Sequence, residues 1–236
     1  MKTMLKLSGE SLGENKLPFD LEQIDRYAAV IAEYAAAGNR IYVVTGGGNI
    51  CRGKQCKTTN PAVTVNADFI GMMGTIQNCL QIKKALMELG VASKVVVPDN
   101  FTIPQVCVHR DELTEEDFIV LLGGGIGRPG FSTDMATVTN ALAFGCEQIL
   151  FSKNGVEGVM TADPRKDPNA AFLSHLTYAE YIARGLEVID MEPMKKLAAE
   201  KTGNVVSRVF RMNPENLRAM LLHDGEGLAL YTTITD

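Results

Sequence analysis

The sequence predicts one α/β domain in which a mostly parallel central sheet is covered by helices on both faces. With 236 residues, 46% of them hydrophobic, the chain is long and apolar enough to bury the core of such a domain. Short aliphatic runs alternate with helical patterns along the chain, which is typical of βαβ units. In this class of fold, ligands bind at the carboxyl ends of the strands, so the residues that follow each strand are the first candidates for function.

Seven aliphatic runs are predicted to be strands. They cover residues 3–7, 40–45, 92–97, 118–122, 148–152, 205–210 and 228–232. Helix starts are predicted where Asp20 precedes Gln23 and where Thr177 precedes Glu180, because these pairs fit a capping box. Helix ends are predicted at Gly38, Gly90 and Gly145, which can adopt the left-handed conformation of a C-cap. Residues 154–169 form a long irregular segment that is expected to fold as a hairpin and lid over a site.

Charge and cysteine content narrow the class of partner. The formal net charge is −5, with acidic and basic residues interspersed, so neither a nucleic acid nor a membrane surface is expected as a partner. Five cysteines form no CxxC pair, and the sequence shows no signal peptide and no run long enough to span a bilayer. We therefore expect a cytoplasmic protein whose phosphate-bearing ligands are small and held locally.

A lysine near the end of the first predicted strand is a candidate catalytic cation. Lys6 directly precedes Leu7, Ser8 and Gly9, where a tight turn can direct backbone amides toward an anion. Phosphoryl transfer depends mainly on positioning and charge neutralisation, which a fixed ammonium group supplies. The alternative interpretation is a solvated lysine on an edge strand.

Three consecutive glycines, residues 46–48, follow the second predicted strand. Without side chains, Gly47 and Gly48 allow the backbone to approach phosphate oxygens, and Arg52 can add a bidentate contact. Residues 48–55 nearly match a P-loop, but Gln55 replaces the Ser or Thr that should bind magnesium, so we reject that motif. A flexible turn remains the alternative interpretation.

A second glycine-rich loop follows the strand predicted at 118–122. Gly125, Gly127 and Gly130 fit G-x-G-x-x-G, but Glu147 lies before the next strand instead of at its end, which argues against dinucleotide binding. The residues after this loop, Ser132, Thr133 and Asp134, are typical N-cap residues for the helical pattern of residues 135–144 and can also bind phosphate.

Two further acids and the histidines complete the candidates. Asp68 is expected to open a helix that contains Gly71 and Gly74, and Asp190 reads as an ordinary N-cap. In combination with Lys6, such acids can orient the lysine and help to bind magnesium. The three histidines have no partners at ligand spacing, so neither zinc nor a Ser-His-Asp arrangement is supported.

Six segments together resemble the bacterial UMP kinases (uridylate kinases) of the amino acid kinase family. In order along the chain they are residues 6–10, 46–53, 68 with 71–73, 129–134, 156–164 and 176–178. The resemblance implies a single-domain αβα sandwich that transfers the γ-phosphate of ATP to UMP with Mg²⁺, giving UDP for pyrimidine nucleotide biosynthesis. It also implies a homo-oligomer, usually a hexamer, and regulation by GTP and UTP.

Carried onto matching positions, the resemblance implies three groups of site residues, while the metal ligands stay unassigned. The catalytic group is Lys6, Asp134 and Asp190. The ATP-binding group is Lys6, Leu7, Ser8, Gly9, Gly48, Arg52, Lys153, Asn154, Met160 and Asp163. The UMP-binding group is Gly47, Asp68, Ile126, Gly127, Arg128, Pro129, Gly130, Phe131, Ser132 and Thr133. The N-terminal half would then hold mainly the acceptor and the oligomer contacts, and the C-terminal half mainly ATP.

Two loops depart from the family pattern and keep alternatives open. The family usually reads Thr-Gly-Asn-Pro-Phe-Phe-Thr-Thr-Asp where this chain has residues 126–134, so a hydroxyl, an amide and an aromatic ring are lost. Residues 151–158 are one residue longer than the family's Lys-Ala-Thr-Lys-Val-Asp-Gly and lack the lysine directly after the strand. The alternatives are a kinase for another small acceptor, with Arg128 as an extra anion contact, and a non-catalytic nucleotide- or oxyanion-binding homologue. A dinucleotide-dependent oxidoreductase ranks last.

Overall fold

The fold is a layered α/β structure. It is given by a computed structural model, which describes residues 1–13, 17–51, 59–163 and 167–236. The strands are β1 (Lys2–Leu7), β2 (Arg40–Thr45), β3 (Lys94–Val96), β4 (Ile119–Leu122), β5 (Gln148–Lys153), β6 (Val159–Met160), β7 (Phe172–Leu173), β8 (His175–Thr177), β9 (Val206–Arg211) and β10 (Thr232–Thr235). The α-helices are α1 (Leu21–Ala36), α2 (Pro61–Glu88), α3 (Thr133–Phe144), α4 (Tyr178–Ala183), α5 (Met191–Glu200) and α6 (Pro214–Leu222). Short 3-10 helices cover Gly9–Leu12 and Arg110–Glu112.

Eight of the strands form one sheet in the order β3-β4-β2-β1-β5-β9-β10-β8. The neighbours from β3 to β9 are parallel, whereas β10 runs antiparallel to β9 and parallel to β8. Strands β6 and β7 pair separately as an antiparallel hairpin. The predicted mostly parallel sheet is thus confirmed, and β1 lies at its centre, between β2 and β5.

Alternation along the strands divides the core into two layers. On β1, Leu5 and Leu7 pack in a cluster with buried residues of α1, α2 and α6, whereas Met4 packs in a second cluster with residues of α3, α4 and α5. Side chains two residues apart on a strand share a face of the sheet. Burial of both faces explains the nearly continuous aliphatic runs that predicted the inner strands.

The last strand differs from the sequence prediction. The run at 228–232 was expected to be a strand, but β10 begins only at Thr232. Gly225 and Gly227 just before the run have φ of 84° and 86°, so the chain is still turning there. Leu228 packs partly against the first core cluster, whereas Leu230 is 41% exposed. The alternating apolar residues of this run therefore belong to an irregular segment that lies against the core.

The predicted helix caps are confirmed, but only one of the two predicted capping boxes is complete. Asp20 accepts a hydrogen bond from the N–H of Gln23 at 3.0 Å, whereas the Gln23 side chain donates to the hydroxyl of Tyr27 at 3.3 Å and does not return to Asp20. Thr177 forms a reciprocal capping box with Glu180. The three predicted C-cap glycines have φ between 63° and 82°. These signals act within a few residues of the helix end, and therefore a sequence pattern suffices to find them.

Helix α2 starts earlier than predicted, which moves Asp68 inside the helix. Its first residue is Pro61, and the side chain of Asn60 caps it by accepting a hydrogen bond from the N–H of Ala62 at 3.0 Å. Asn followed by Pro is a strong helix start, since proline at the first position has no N–H to leave unsatisfied. The expectation that Asp68 opens the helix is therefore wrong, because Asp68 lies about two turns inside it.

Part of the irregular segment at 154–169 forms the expected hairpin. Strand β6 lies within it, and its partner β7 follows the segment. Within the described ranges, no helix combines the length and apolar character that a membrane crossing requires.

Candidate active site

Two lysines reach the same face of the sheet from neighbouring strands. Lys6 lies on β1 two residues after Met4 and is paired in register with Phe151 of β5. Lys153 ends β5, two residues after Phe151. Since Met4 and Phe151 both belong to the core layer of α3, both lysines project toward the start of that helix.

Asp134, in the first turn of α3, lies between the two ammonium groups. Its Oδ1 is 3.7 Å from Nζ of Lys6, and its Oδ2 accepts a hydrogen bond from Nζ of Lys153 at 2.9 Å. The backbone N–H of Asp190 donates to the same Oδ2 at 3.3 Å. Lys6 is 9% exposed and Asp134 6%, so these charges are withdrawn from water. We call Lys6, Asp134 and Lys153 the charge cluster.

Burial and pairing shift the pKa values of Lys6 and Asp134. Burial lowers the pKa of the Lys6 ammonium below its ordinary value, against the opposing attraction of Asp134. Burial alone would raise the pKa of Asp134, but the attraction of Lys6 and Lys153, with hydrogen bonds from Lys153 and the backbone of Asp190, outweighs it and lowers that pKa. The carboxylate is therefore held ionised, while the Lys6 cation depends on negative charge nearby.

Asp190 occupies the predicted N-cap position but does not act as one. Its side chain makes no capping hydrogen bond to α5, and the residue is exposed. Its negative charge favours the ionised form of Lys6. The structure thus brings all three predicted catalytic residues together and adds Lys153, which the sequence had assigned to ATP binding alone.

The turn after β1 and the glycine loop after β2 lie against each other. The N–H of Gly46 donates to the carbonyl oxygen of Leu7 at 2.8 Å. A Cβ on Gly9 would lie 2.4 Å from the carbonyl oxygen of Gly46, and a Cβ on Gly47 would lie 2.7 Å from that of Gly71 on α2. Any side chain at Gly9 or Gly47 would separate these elements, which explains the glycines in physical terms. Asn154, beyond β5, reaches the same turn through a hydrogen bond to Glu10 at 3.4 Å.

The acceptor loop predicted after β4 is attached to α2. The Asp68 carboxylate accepts a hydrogen bond from the N–H of Gly130 at 2.8 Å, so two predicted UMP-binding residues contact each other. The hydroxyl of Thr75 accepts from the N–H of Gly124 at 2.8 Å and donates to the carbonyl oxygen of Met72 at 2.7 Å. Sequence reasoning missed Thr75, although it follows the predicted stripe of Gly71 and Gly74.

Residues 126–133 have different places in this loop. Ile126, Gly127 and Arg128 line a cleft of about 550 Å³ whose other wall includes Asn100, and Asn100 donates to the carbonyl oxygen of Gly127 at 2.8 Å. Phe131 is 54% exposed, with Pro129 half-buried. Ser132 caps α3 by accepting from the N–H of Met135 at 3.2 Å, and Thr133 begins the helix, so both occupy the N-cap region that the sequence also predicted for them.

The remaining predicted ATP-binding residues lie on several elements. Met160 belongs to β6, and the adjacent Val159 donates to the hydroxyl of Thr232 at 2.8 Å, which attaches the hairpin to the main sheet. Ser8 and Gly48 lie in the two adjoining turns, Asp163 follows β6, and Arg52 falls outside the described residues. In the described part of the chain, no three His, Cys, Asp or Glu side chains are arranged to hold a metal ion.

Comparison with known proteins identifies the class. The family model for the amino acid kinase family matches residues 1–210, and the chain belongs to that family. The chain is 39% identical to a uridylate kinase of Nocardioides sp. over 91% of its own length and 90% of the relative's. It is 33% identical to a uridylate kinase of Bifidobacterium longum, covering 98% of this chain and 94% of that one.

Solved structures agree with the sequence comparison. The crystal structure of UMP kinase from Ureaplasma parvum matches with a TM-score of 0.86 at 27% identity, over 100% of this chain and 98% of that one. The resemblance to UMP kinases and the expected amino acid kinase fold are thereby confirmed. The individual substrate contacts remain predictions.

The charge cluster predicts a pH-dependent loss of stability in Asp134→Asn. This change removes the charge shared by the buried Lys6 and the half-buried Lys153, so we expect the free energy of unfolding near neutral pH to fall by about 3 kcal/mol. Because its pKa is lowered from the ordinary 3.8, Asp134 stabilises the fold above that value and loses this effect as the pH falls through its folded pKa. The difference in the free energy of unfolding between wild type and Asp134→Asn should therefore become smaller below about pH 4. Urea denaturation at a series of pH values measures it.

Glu115→Gln is the matched control for this measurement. Glu115 pairs with Arg40 at the surface, and its side chain is 93% exposed. Its loss should change stability by less than about 1 kcal/mol. A deficit in Asp134→Asn that stays constant into acid would contradict the assigned ionisation.

Proposed function

We propose that the protein is a UMP kinase, a phosphotransferase that moves the γ-phosphate of ATP to UMP and releases UDP. The observation that carries this proposal is the buried charge cluster at the carboxyl ends of β1 and β5. Two cations held around one carboxylate suit a transferring phosphoryl group, whose negative charge is spread over its three equatorial oxygens in the transition state. The uridylate kinase relatives support UMP as the acceptor.

The mechanism follows from the positions of these charges. The phosphate of UMP attacks the γ-phosphorus in line, so no covalent enzyme intermediate is needed. Lys6 and Lys153 neutralise charge on the transferring group, while Asp134 keeps both ammonium groups oriented toward it. Asp190 adds negative charge that keeps Lys6 protonated.

The two substrates are assigned to the two groups of loops. ATP would lie along Lys6, Leu7, Ser8, Gly9, Gly48, Asn154, Met160 and Asp163, with Arg52 adding a cation. UMP would lie against Gly47, Asp68 and the loop of residues 126–133.

Magnesium is assigned to the donor as MgATP. Mg²⁺ is usually held by substrate phosphates with one or two carboxylates, and it keeps several waters. The Asp134 carboxylate is already shared by two lysines. Of the catalytic group, Asp190 would therefore be the carboxylate that contacts Mg²⁺ through a water molecule, since its side chain makes no capping hydrogen bond. The four described cysteines are free, in keeping with the cytoplasmic role in pyrimidine nucleotide biosynthesis that we propose.

A coupled assay tests the proposal directly. ATP and Mg²⁺ are supplied with UMP, CMP, other nucleoside monophosphates, or carbamate and small carboxylates, with and without GTP or UTP. We expect turnover with UMP and much slower turnover with every other acceptor. Equal turnover of several acceptors would point to another small substrate, and the absence of ATP consumption would identify a non-catalytic homologue.

Removal of the Lys6 ammonium should abolish most activity without unfolding the protein. We expect Lys6→Ala to lower kcat by at least about a hundredfold, because the charge acts chiefly in the transition state. Circular dichroism should show an unchanged fold. Lys84→Ala is the control, since Lys84 is an exposed lysine paired with Glu88 on α2 and should keep full activity. Near-normal turnover of Lys6→Ala would refute the catalytic assignment.

We also propose that copies of the chain associate through the apolar face of α2, as the hexamer of the resembling family implies. Five large apolar side chains on this helix are 36–47% exposed: Val63, Val65, Phe69, Ile70 and Met73. Such an exposed apolar stripe is typical of an interface. Size-exclusion chromatography with light scattering should show a smaller species for Ile70→Glu than for wild type. Met87→Glu, at the far end of the same helix, should leave the size unchanged, and an Ile70→Glu protein of wild-type size would exclude this face.

A further inference from the structure

Two asparagine amides connect helix α2 to the glycine loop after β2. Asn78, fully buried on α2, donates from Nδ2 to the carbonyl oxygen of Gly46 at 2.6 Å. Asn78 and Asn49 also exchange two hydrogen bonds of 2.9 Å, each Nδ2 donating to the other's Oδ1. Asn49 donates its remaining N–H to the carbonyl oxygen of Pro18 at 2.7 Å. All four side-chain N–H groups of the pair thus have acceptors.

The bond from Asn78 sets the direction of one peptide group at the start of the loop. In a trans peptide, the carbonyl oxygen and the following N–H point in opposite directions. With the Gly46 oxygen held toward Asn78, the N–H of Gly47 must point away from it. Among the described residues, the N–H groups of Gly47 and Gly48 donate to no protein atom, so they remain available to a ligand oxygen.

We propose that Asn78 is a positioning residue that orients the Gly46–Gly48 backbone for phosphate binding, acting through the Gly46 carbonyl and Asn49. This inference rests on the proposed phosphotransferase function, because it assigns the freed amides to the phosphates. The residue type is specific: Asn supplies two donors and one acceptor at this length, whereas Asp has no donor when ionised and Leu has none at all. Asn49 and Asn78 lie 29 residues apart in the chain, and their hydrogen bonds connect helix α2 to the glycine loop after β2.

Asn78→Asp tests this role with almost no change in shape. It replaces two donors with acceptors that face the Gly46 oxygen and the Asn49 oxygen, so the loop should lose its fixed orientation. We expect kcat for UMP phosphorylation to fall by at least about tenfold at a temperature where circular dichroism shows a folded protein.

A pH profile separates positioning from a general loss of structure. A carboxyl buried at position 78 has a raised pKa, and once protonated it can donate one hydrogen bond again. The ratio of the Asn78→Asp rate to the wild-type rate should therefore rise as the pH is lowered from about 8 to about 6. Asn78→Ala has no titratable group at this position, and its ratio should stay flat.

Two further variants keep the test decisive. Ile82→Ala removes a fully buried side chain one turn along the same helix, away from the loop, and should keep kcat within about twofold at an equal folded fraction. Asn49→Ala, at a half-buried position, serves if Asn78→Asp does not fold, and should lower kcat by at least about threefold.

The outcomes distinguish this inference from the proposed function. Wild-type protein that does not phosphorylate UMP would refute the function itself. Active wild type with unchanged kcat in Asn49→Ala or Asn78→Asp would overturn only the positioning role. An equal loss in Ile82→Ala and Asn78→Asp would have the same meaning, since it would show that any core damage lowers the rate.

Discussion

The candidate active site depends on the single carboxylate of Asp134, which the buried Lys6 and the half-buried Lys153 share. Asp134 holds the side chains of Lys6 and Lys153 close together, and its charge favours the ionised form of the buried Lys6. Each member comes from a different element, namely β1, α3 and β5, and only the parallel pairing of β1 with β5 brings the lysines side by side. The proposed catalytic role of the cluster thus depends on the register of the sheet, because a shift of one residue would turn a lysine to the opposite face.

Around this cluster, glycines determine how closely the loops approach. The turn after β1 contacts the loop after β2, and that loop contacts helix α2, at distances that no Cβ permits at Gly9 or Gly47. Side chains of α2 then hold the loops from behind: Thr75 binds the loop after β4, and Asn78 binds the loop after β2. One helix therefore supports both of the loops that we assign to the substrates.

The sequence predicted what local patterns determine. Lys6 was found from its place at a strand end, and Gly145 was found as a helix stop, because both signals lie within a few residues. The partnership of Lys153 with Asp134 depends on strand register and could not be read from the sequence. The strand predicted over Leu228 and Leu230 was wrong. An irregular segment that packs on one side against the core can show the same alternation of apolar and other residues as a strand. The start of α2 was missed although Asn60 and Pro61 signal it. The prediction placed the helix start at Asp68, which lies inside the helix.

The charge balance of the site explains why it suits a polyanionic ligand. Two ammonium groups and one buried carboxylate leave about one positive charge, which the exposed Asp190 offsets only in part. Burial lowers the pKa of Lys6, so nearby negative charge is needed to offset the cost of its buried ammonium group. A triphosphate that enters the cleft supplies the missing negative charge and stabilises that protonated form. In the proposed reaction, the transferring group would stay beside the same two cations as it moves between donor and acceptor, and they would need no rearrangement.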